Sequence, residues 1–149
     1  MSFAQPSLKG RALRLLSGRE HSRAELTQKL QRFEEEPGSL AQVLDELQAK
    51  GFIDEQRVIE SVLHRRAAKL GTARIKQELQ GKGLEPEAVS AALIGLQASE
   101  HERALALWGK KFGALPAERQ AAAKQMRFLA ARGFGADAIR RVVAGRADD

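Results

Sequence analysis

The stretch "LQGKGLEPEAV", residues 79–89, has a counterpart fifty residues later in "LAARGFGADAI", residues 129–139. Each opens on a leucine and carries a cation–glycine–apolar triplet, Lys82-Gly83-Leu84 in one and Arg132-Gly133-Phe134 in the other. Ten residues after each leucine begins an i,i+4 apolar pair, Val89/Leu93 and Ile139/Val143. A glycine just past a run of apolar residues at helical spacing stops a helix, and the apolar pair starts the next one. A third copy begins at Leu30, 49 residues before Leu79, and its pair Val43/Leu47 follows after 13 residues. The three additional residues are placed most simply in "EEEPG", residues 34–38. Recurrence at nearly one spacing is the mark of a repeat protein.

Working outward, apolar residues recur every three or four positions throughout, and period-two alternation never persists. Helices are expected at about 8–17, 22–33, 39–50, 55–70, 73–82, 86–97, 99–112, 117–132 and 136–144. Ser22 with Glu25, Ser39 with Gln42 and Ser99 with Glu102 have capping-box spacing. Asp54 and Thr72 suit simple caps, and Pro86 and Pro116 suit first turns, where no backbone N–H is needed. Gly51, Gly71, Gly83 and Gly133 are read as helix stops. The fold class is therefore all-α: three tandem three-helix, helix-turn-helix-like repeats in an elongated, curved molecule. The expected divisions are a flexible tail 1–7, repeats at 8–53 and 54–98, and a third repeat within 99–149 that ends in a short tail. Units this small gain stability by packing on their neighbours.

The formal charge is +6, which favours acidic partners such as nucleic acid or an acidic protein surface. Charge alternates in blocks: residues 1–33, 54–83 and 101–149 are basic, and 34–53 and 84–100 acidic. With no cysteine, disulfides and thiolate sites are excluded. No apolar run approaches membrane-spanning length, so a cytoplasmic protein without membrane attachment is expected.

No motif for catalysis, a metal or a cofactor emerges, and the expectation is a non-enzyme. The histidines His21, His64 and His101 fall in different repeats, and no phosphate-cradling glycine loop is present. Phe33, Phe52 and Phe134 are expected to seal small cores, with Trp108 in an apolar stripe. Basic surface without interleaved aromatics argues against a dedicated single-strand binder.

The densest basic stretch is "HRRAAKLG", residues 64–71. On a helical wheel Arg65 and Lys69 share a flank, while Arg66 falls within the apolar stripe of Ile59, Val62 and Leu63. Arg66 is therefore expected to pack its stem, pair its head with a carboxylate or carbonyl, and hold one repeat against the next.

"HRRAAKLG" followed by "ARIKQELQGKGL" resembles the central motif of the RecX family, bacterial regulators of the RecA recombinase. "ALRLLSGREHSRAELTQKL" resembles that family's first repeat, and "RALALWGKKFG" with "RFLAARGFGADAIRRVV" its third. The resemblance spans nearly residues 8–145. It implies binding to RecA or within the groove of the RecA–DNA filament, with restraint of filament growth, ATP hydrolysis and strand exchange in recombination and SOS DNA repair. The motif positions Arg65, Arg66, Lys69, Arg74 and Lys76 are the first candidate contacts, with Arg127, Arg132, Arg140 and Arg141 in the third repeat. A monomer is expected. The alternative is direct binding of single- or double-stranded DNA by the helical repeats, and a helical scaffold for another acidic protein is a third reading.

Overall fold

The structure, a computed structural model, describes residues 5–145. The expected tails lie partly outside these residues. Among those described there are nine α-helices, no strand, and one 3₁₀ turn. Repeat 1 holds α1 (Leu8–Gly18), α2 (Arg23–Leu30), the 3₁₀ turn Gln31–Phe33 and α3 (Ser39–Ala49). Repeat 2 holds α4 (Glu55–Arg66), α5 (Thr72–Gly81) and α6 (Pro86–Ala98). Repeat 3 holds α7 (Glu100–Lys111), α8 (Arg119–Ala131) and α9 (Ala136–Val143).

Each repeat closes its own core. Leu26, Leu30, Leu44 and Leu47 fill the first, Ile59, Val62, Ile75 and Leu79 the second, and Leu129, Phe134, Ile139 and Val142 the third. The repeating leucines Leu30, Leu79 and Leu129 are all buried at the end of the middle helix. The glycine after the second and third is left-handed, with φ +66° at Gly83 and +92° at Gly133. That conformation turns Leu84 and Phe134 inward beneath the helix end. In repeat 1 the 3₁₀ turn and residues 34–38 replace this turn, which is where the additional residues were placed.

Adjacent repeats meet through one recurring contact: the start of a middle helix sits on the glycine turn of the next repeat. Between repeats 1 and 2, the Ser22 hydroxyl donates to the Lys82 carbonyl (2.6 Å) and also accepts from the Glu25 N–H. A Cβ on Gly83 would come within 2.7 Å of that of Ala24. Glu25 accepts from Arg19 (2.6 Å), from the Ser22 N–H (3.0 Å) and from Lys82 (3.3 Å). Burial alone would raise its pKa, but these donors and the Lys82 charge prevail and hold it at about 2. Between repeats 2 and 3, the Gly71 N–H donates to the Arg132 carbonyl (2.8 Å) and the Ala73 N–H to that of Gly133 (3.3 Å). The backbones approach so closely that a Cβ on Gly71 would collide with the Gly133 carbonyl.

Local signals met mixed outcomes. The Ser22–Glu25 capping box forms, and Asp54 caps α4 through the Arg57 N–H. Ser39 is instead the first residue of α3, its hydroxyl donating to Glu36 O, while the Glu34 carboxylate takes the Leu40 N–H. Ser99 precedes α7 but its oxygen accepts from Arg103, so no box forms with Glu102. Gly71 caps the start of α5 in place of Thr72, and Pro116 lies outside α8. Phe134 seals a core and Phe33 is half-buried, whereas Phe52 is 46% exposed at the Gly51 turn.

Gly71 has φ −79° and ψ 169°, a backbone open to any residue, so its requirement is space alone. Gly71→Ala should therefore lower stability by about 2–3 kcal/mol. Gly95→Ala, inside α6 with nothing near its Cβ position, should raise it by about 0.5–1 kcal/mol. Urea unfolding of both variants checks the pair. Because Glu25 has a depressed pKa, its contribution is present above its ordinary 4.5 and is lost as pH falls from about 4.5 toward 2. Glu25→Gln should flatten the loss of stability across that window, which denaturant melts from pH 6 to about 2 will measure.

Candidate functional site

The basic helix α4 ends at Arg66 rather than at residue 70, and the chain beyond it turns into the repeat junction. An α-helix continued to Gly71 would spend the Gly71 N–H on the Ala67 carbonyl. That N–H goes to Arg132 O instead, and the freed Ala67 carbonyl accepts from the Arg103 guanidinium (3.0 Å). Residues 67–69 follow as a turn, with Lys69 N–H donating to Arg66 O.

Arg103 is the centre of this junction. Its Nη1 donates to Ala67 O and Leu70 O (2.6 Å), its Nη2 to Leu96 O (2.9 Å) and Thr72 Oγ1 (3.1 Å), and its Nε to Ser99 Oγ (3.0 Å). One guanidinium thus satisfies the carbonyls left open at the ends of α4 and α6. Burial lowers its pKa from the ordinary value, with the Glu100 charge acting in the opposite sense. Glu100, itself buried, takes the Thr72 N–H (2.8 Å) and the Gly135 N–H (3.4 Å), the first turn of α5 and the start of α9.

Around this junction the expected cations divide. Arg66 Nε pairs with Glu78 Oε1 (3.0 Å) and Arg65 lies 3.7 Å from Glu78 Oε2. The carboxylate partner expected for Arg66 is present, but Glu78 is on α5, so the pair ties two helices of one repeat rather than two repeats. The Arg66 side chain is 42% exposed, because a guanidinium on so long a stem reaches past the apolar stripe to Glu78. Lys69 and Lys76 are exposed. Arg74 turns away from the α4 cluster: its stem covers Gly133 and its Nη1 donates to Ala131 O (2.7 Å) in repeat 3.

Beside it, the Arg132 guanidinium lies 4.9 Å from the Phe128 ring, which packs edge-on against Phe112 with Lys111 on its other approach at 5.6 Å. Arg127 is exposed on α8. Arg140 and Arg141 form a separate group on α9, 3.5 and 3.9 Å from Asp137. The structure therefore ties Arg74 to the backbone on either side of Arg132, joins Arg65 to Arg66 on Glu78, and places Arg140 and Arg141 together on α9. Trp108 is half-buried and donates to Gln125 Oε1 (2.8 Å). Among the described residues, no group of three or more His, Asp or Glu is placed to hold a metal ion, and no helix is long and apolar enough to cross a membrane.

Residues 9–47 match the description "RecX, first three-helix domain", residues 54–93 the second such domain, and residues 98–143 the third. The chain belongs to the RecX family. A protein named Regulatory protein RecX from Leptothrix cholodnii is 50% identical over 139 residues, covering 93% of this chain and 88% of the relative. Another of that name, from Herminiimonas arsenicoxydans, is 44% identical over 139 residues, 93% of this chain and 92% of the relative. The crystal structure of RecX from Lactobacillus salivarius superposes with a TM-score of 0.75 at 21% identity, covering 93% of each chain, and so shares the fold.

The RecX domains follow one another in the order of α1–α3, α4–α6 and α7–α9. Sequence reasoning missed Arg103 and Glu100, the two side chains that organise the junction. Their partners lie up to 36 residues away and are mostly backbone groups, so no local spacing announces them. Arg103→Met keeps the stem but strips every donor, and should cost about 3 kcal/mol by leaving buried carbonyls unpaired. Thermal unfolding with calorimetry checks this, and a variant as stable as the parent would contradict the role.

Proposed function

We propose that this chain is a non-enzymatic regulator that binds RecA or the RecA–DNA filament, lies along the filament groove and restrains filament growth, ATP hydrolysis and strand exchange during recombination and SOS repair. The observation that carries this reading is the ordered match of all three RecX domains along the chain. The name Regulatory protein RecX, borne by relatives at 44–50% identity, supports a regulatory role.

The arrangement of charge supports the same reading. Lys69, Lys76, Arg127 and Arg132 are exposed and have no ion-pair partner among the described residues. They stand on α5, on α8 and the glycine turn that follows it, and on the turn after α4, which the junction ties together. Cations held on such a frame suit an extended acidic track, either recombinase surface or DNA phosphate. Arg65, Arg66, Arg74, Arg140 and Arg141 extend the proposed contact surface, with Arg65 and Arg66 exchanging Glu78 for an acidic group on the partner. The mechanism is steric and allosteric: a rigid helical array wedged across neighbouring recombinase subunits shifts their shared interface, and ATP turnover falls. The protein acts as a monomer in the cytoplasm.

DNA-stimulated ATP hydrolysis by a purified RecA-type recombinase tests this directly. Addition of this protein at stoichiometric amounts should lower the rate, and an unchanged rate at excess protein would overturn the reading. Arg65→Glu combined with Lys69→Glu should raise the concentration for half-inhibition by about tenfold, roughly 1.4 kcal/mol, with helicity by circular dichroism unchanged.

A further inference from the structure

A cavity of about 660 Å³ opens between α1 and the end of α2, away from the repeat 2–3 junction. Among the described residues its lining carries four cations, Arg11 and Arg14 from α1 and Lys29 and Arg32 from α2 and the following turn, and no carboxylate. Elsewhere in repeat 1 the cations are matched: Lys9 and Lys50 with Glu46, Arg19 with Glu25, Arg23 with Asp45. Among the described residues, the four in the cavity have no carboxylate partner within 4.0 Å. The Arg11 guanidinium makes a long hydrogen bond to Gln5 Oε1 (3.4 Å), and Lys29 donates to Nε2 of buried His21 (2.9 Å), whose Nδ1 is committed to Arg19 O. The dipole of α2 accounts for cations at its own C-terminal end, Lys29 and Arg32, but not for two more brought in from α1.

The cavity also places an aromatic ring among these cations. Phe33 lies within it, with the Arg11 guanidinium 3.7 Å and that of Arg32 4.6 Å from the ring centroid. Flat guanidinium-on-ring layers are surfaces on which bases stack, and unpaired cations beside them suit phosphates. An acidic peptide would use the charge and leave the stacking faces idle. The location is open for a structural reason. In repeats 2 and 3 the end of the middle helix receives the preceding repeat through its glycine turn. In repeat 1 that end is the 3₁₀ turn Gln31–Phe33, and no repeat precedes it among the described residues.

We infer that this groove is a binding site for single-stranded nucleic acid, with phosphates on Arg11, Arg14, Lys29 and Arg32 and a base stacked on the Arg11–Phe33 layer. The inference does not depend on the proposed recombinase partnership, and its test contains no recombinase, so the two fail separately. Fluorescence anisotropy of the full chain with a labelled twelve-residue oligothymidylate at low salt is the measurement. Binding should weaken with salt at a log–log slope of roughly −2 to −3, as for three or four phosphates released from a single strand. Arg14→Gln with Arg32→Gln should weaken it at least tenfold, and Phe33→Leu about fivefold or more. Lys9→Gln with Lys50→Gln removes the same charge from the same repeat at Glu46 and should leave affinity within twofold. Circular dichroism confirms that each variant is folded. The site is overturned if the parent chain shows no binding, if the Arg14/Arg32 variant binds as tightly as the parent, or if a labelled polyglutamate peptide of equal length binds as tightly as the oligonucleotide.

Discussion

The arrangement of repeat 3 against repeat 2 depends on where two glycines meet. Gly71 gives its N–H to the Arg132 carbonyl, and the absence of side chains at Gly71 and Gly133 allows the backbones that close approach. The consequences propagate in order. The helix carrying the basic motif ends at Arg66, and the turn that follows leads into this contact. Arg103 takes the carbonyls so exposed. The first N–H of α5, open at a helix start, is taken by Glu100, which also reaches the start of α9. The junction between repeats 1 and 2 uses the same docking, but there the contact is through Ser22 and the Glu25–Lys82 pair rather than backbone to backbone. Because these are hydrogen bonds to groups out of solvent, each is costly to lose, and neighbouring repeats are held in fixed relation.

A fixed relation matters for a protein whose proposed contact residues are charges on separate helices. Arg74 is held on the backbone that flanks Arg132, and Lys76 and Arg127 stand on the two helices the junction clasps. Membership of the RecX family supplies the proposed partner, and the frame lets small repeats without a shared core hold the proposed contact cations in fixed relation. Surface ion pairs contribute little by themselves, so the pairing of Arg65 and Arg66 with Glu78 is read as positioning rather than as stability.

The fold was legible because its period is written in residues with few substitutes: a leucine that must be buried, a glycine that must be left-handed, an apolar pair opening the next helix. The candidate site was legible only in part. Arg65, Arg66, Lys69 and Arg74 follow from the motif, but the direction of each does not. A wheel places Arg66 by its Cα, whereas its head is decided by Glu78, twelve residues on. Ser99 has the spacing of a cap, yet Arg103 claims its oxygen and its backbone is not extended. Arg11, Arg14, Lys29, Arg32 and Phe33 are scattered over two helices and a turn, and only packing of α1 against α2 makes them one groove.

The central claim is that backbone contact between Gly71 and the Gly133 turn fixes repeat 2 against repeat 3. The chain has no cysteine, so spin labels placed at Gln56 on α4 and Lys124 on α8, both exposed, report that geometry without interference. Pulsed electron resonance should give one narrow distance distribution in the parent chain and a broadened or displaced one when Gly71 is changed to Ala. The same narrow distribution in both would contradict the account.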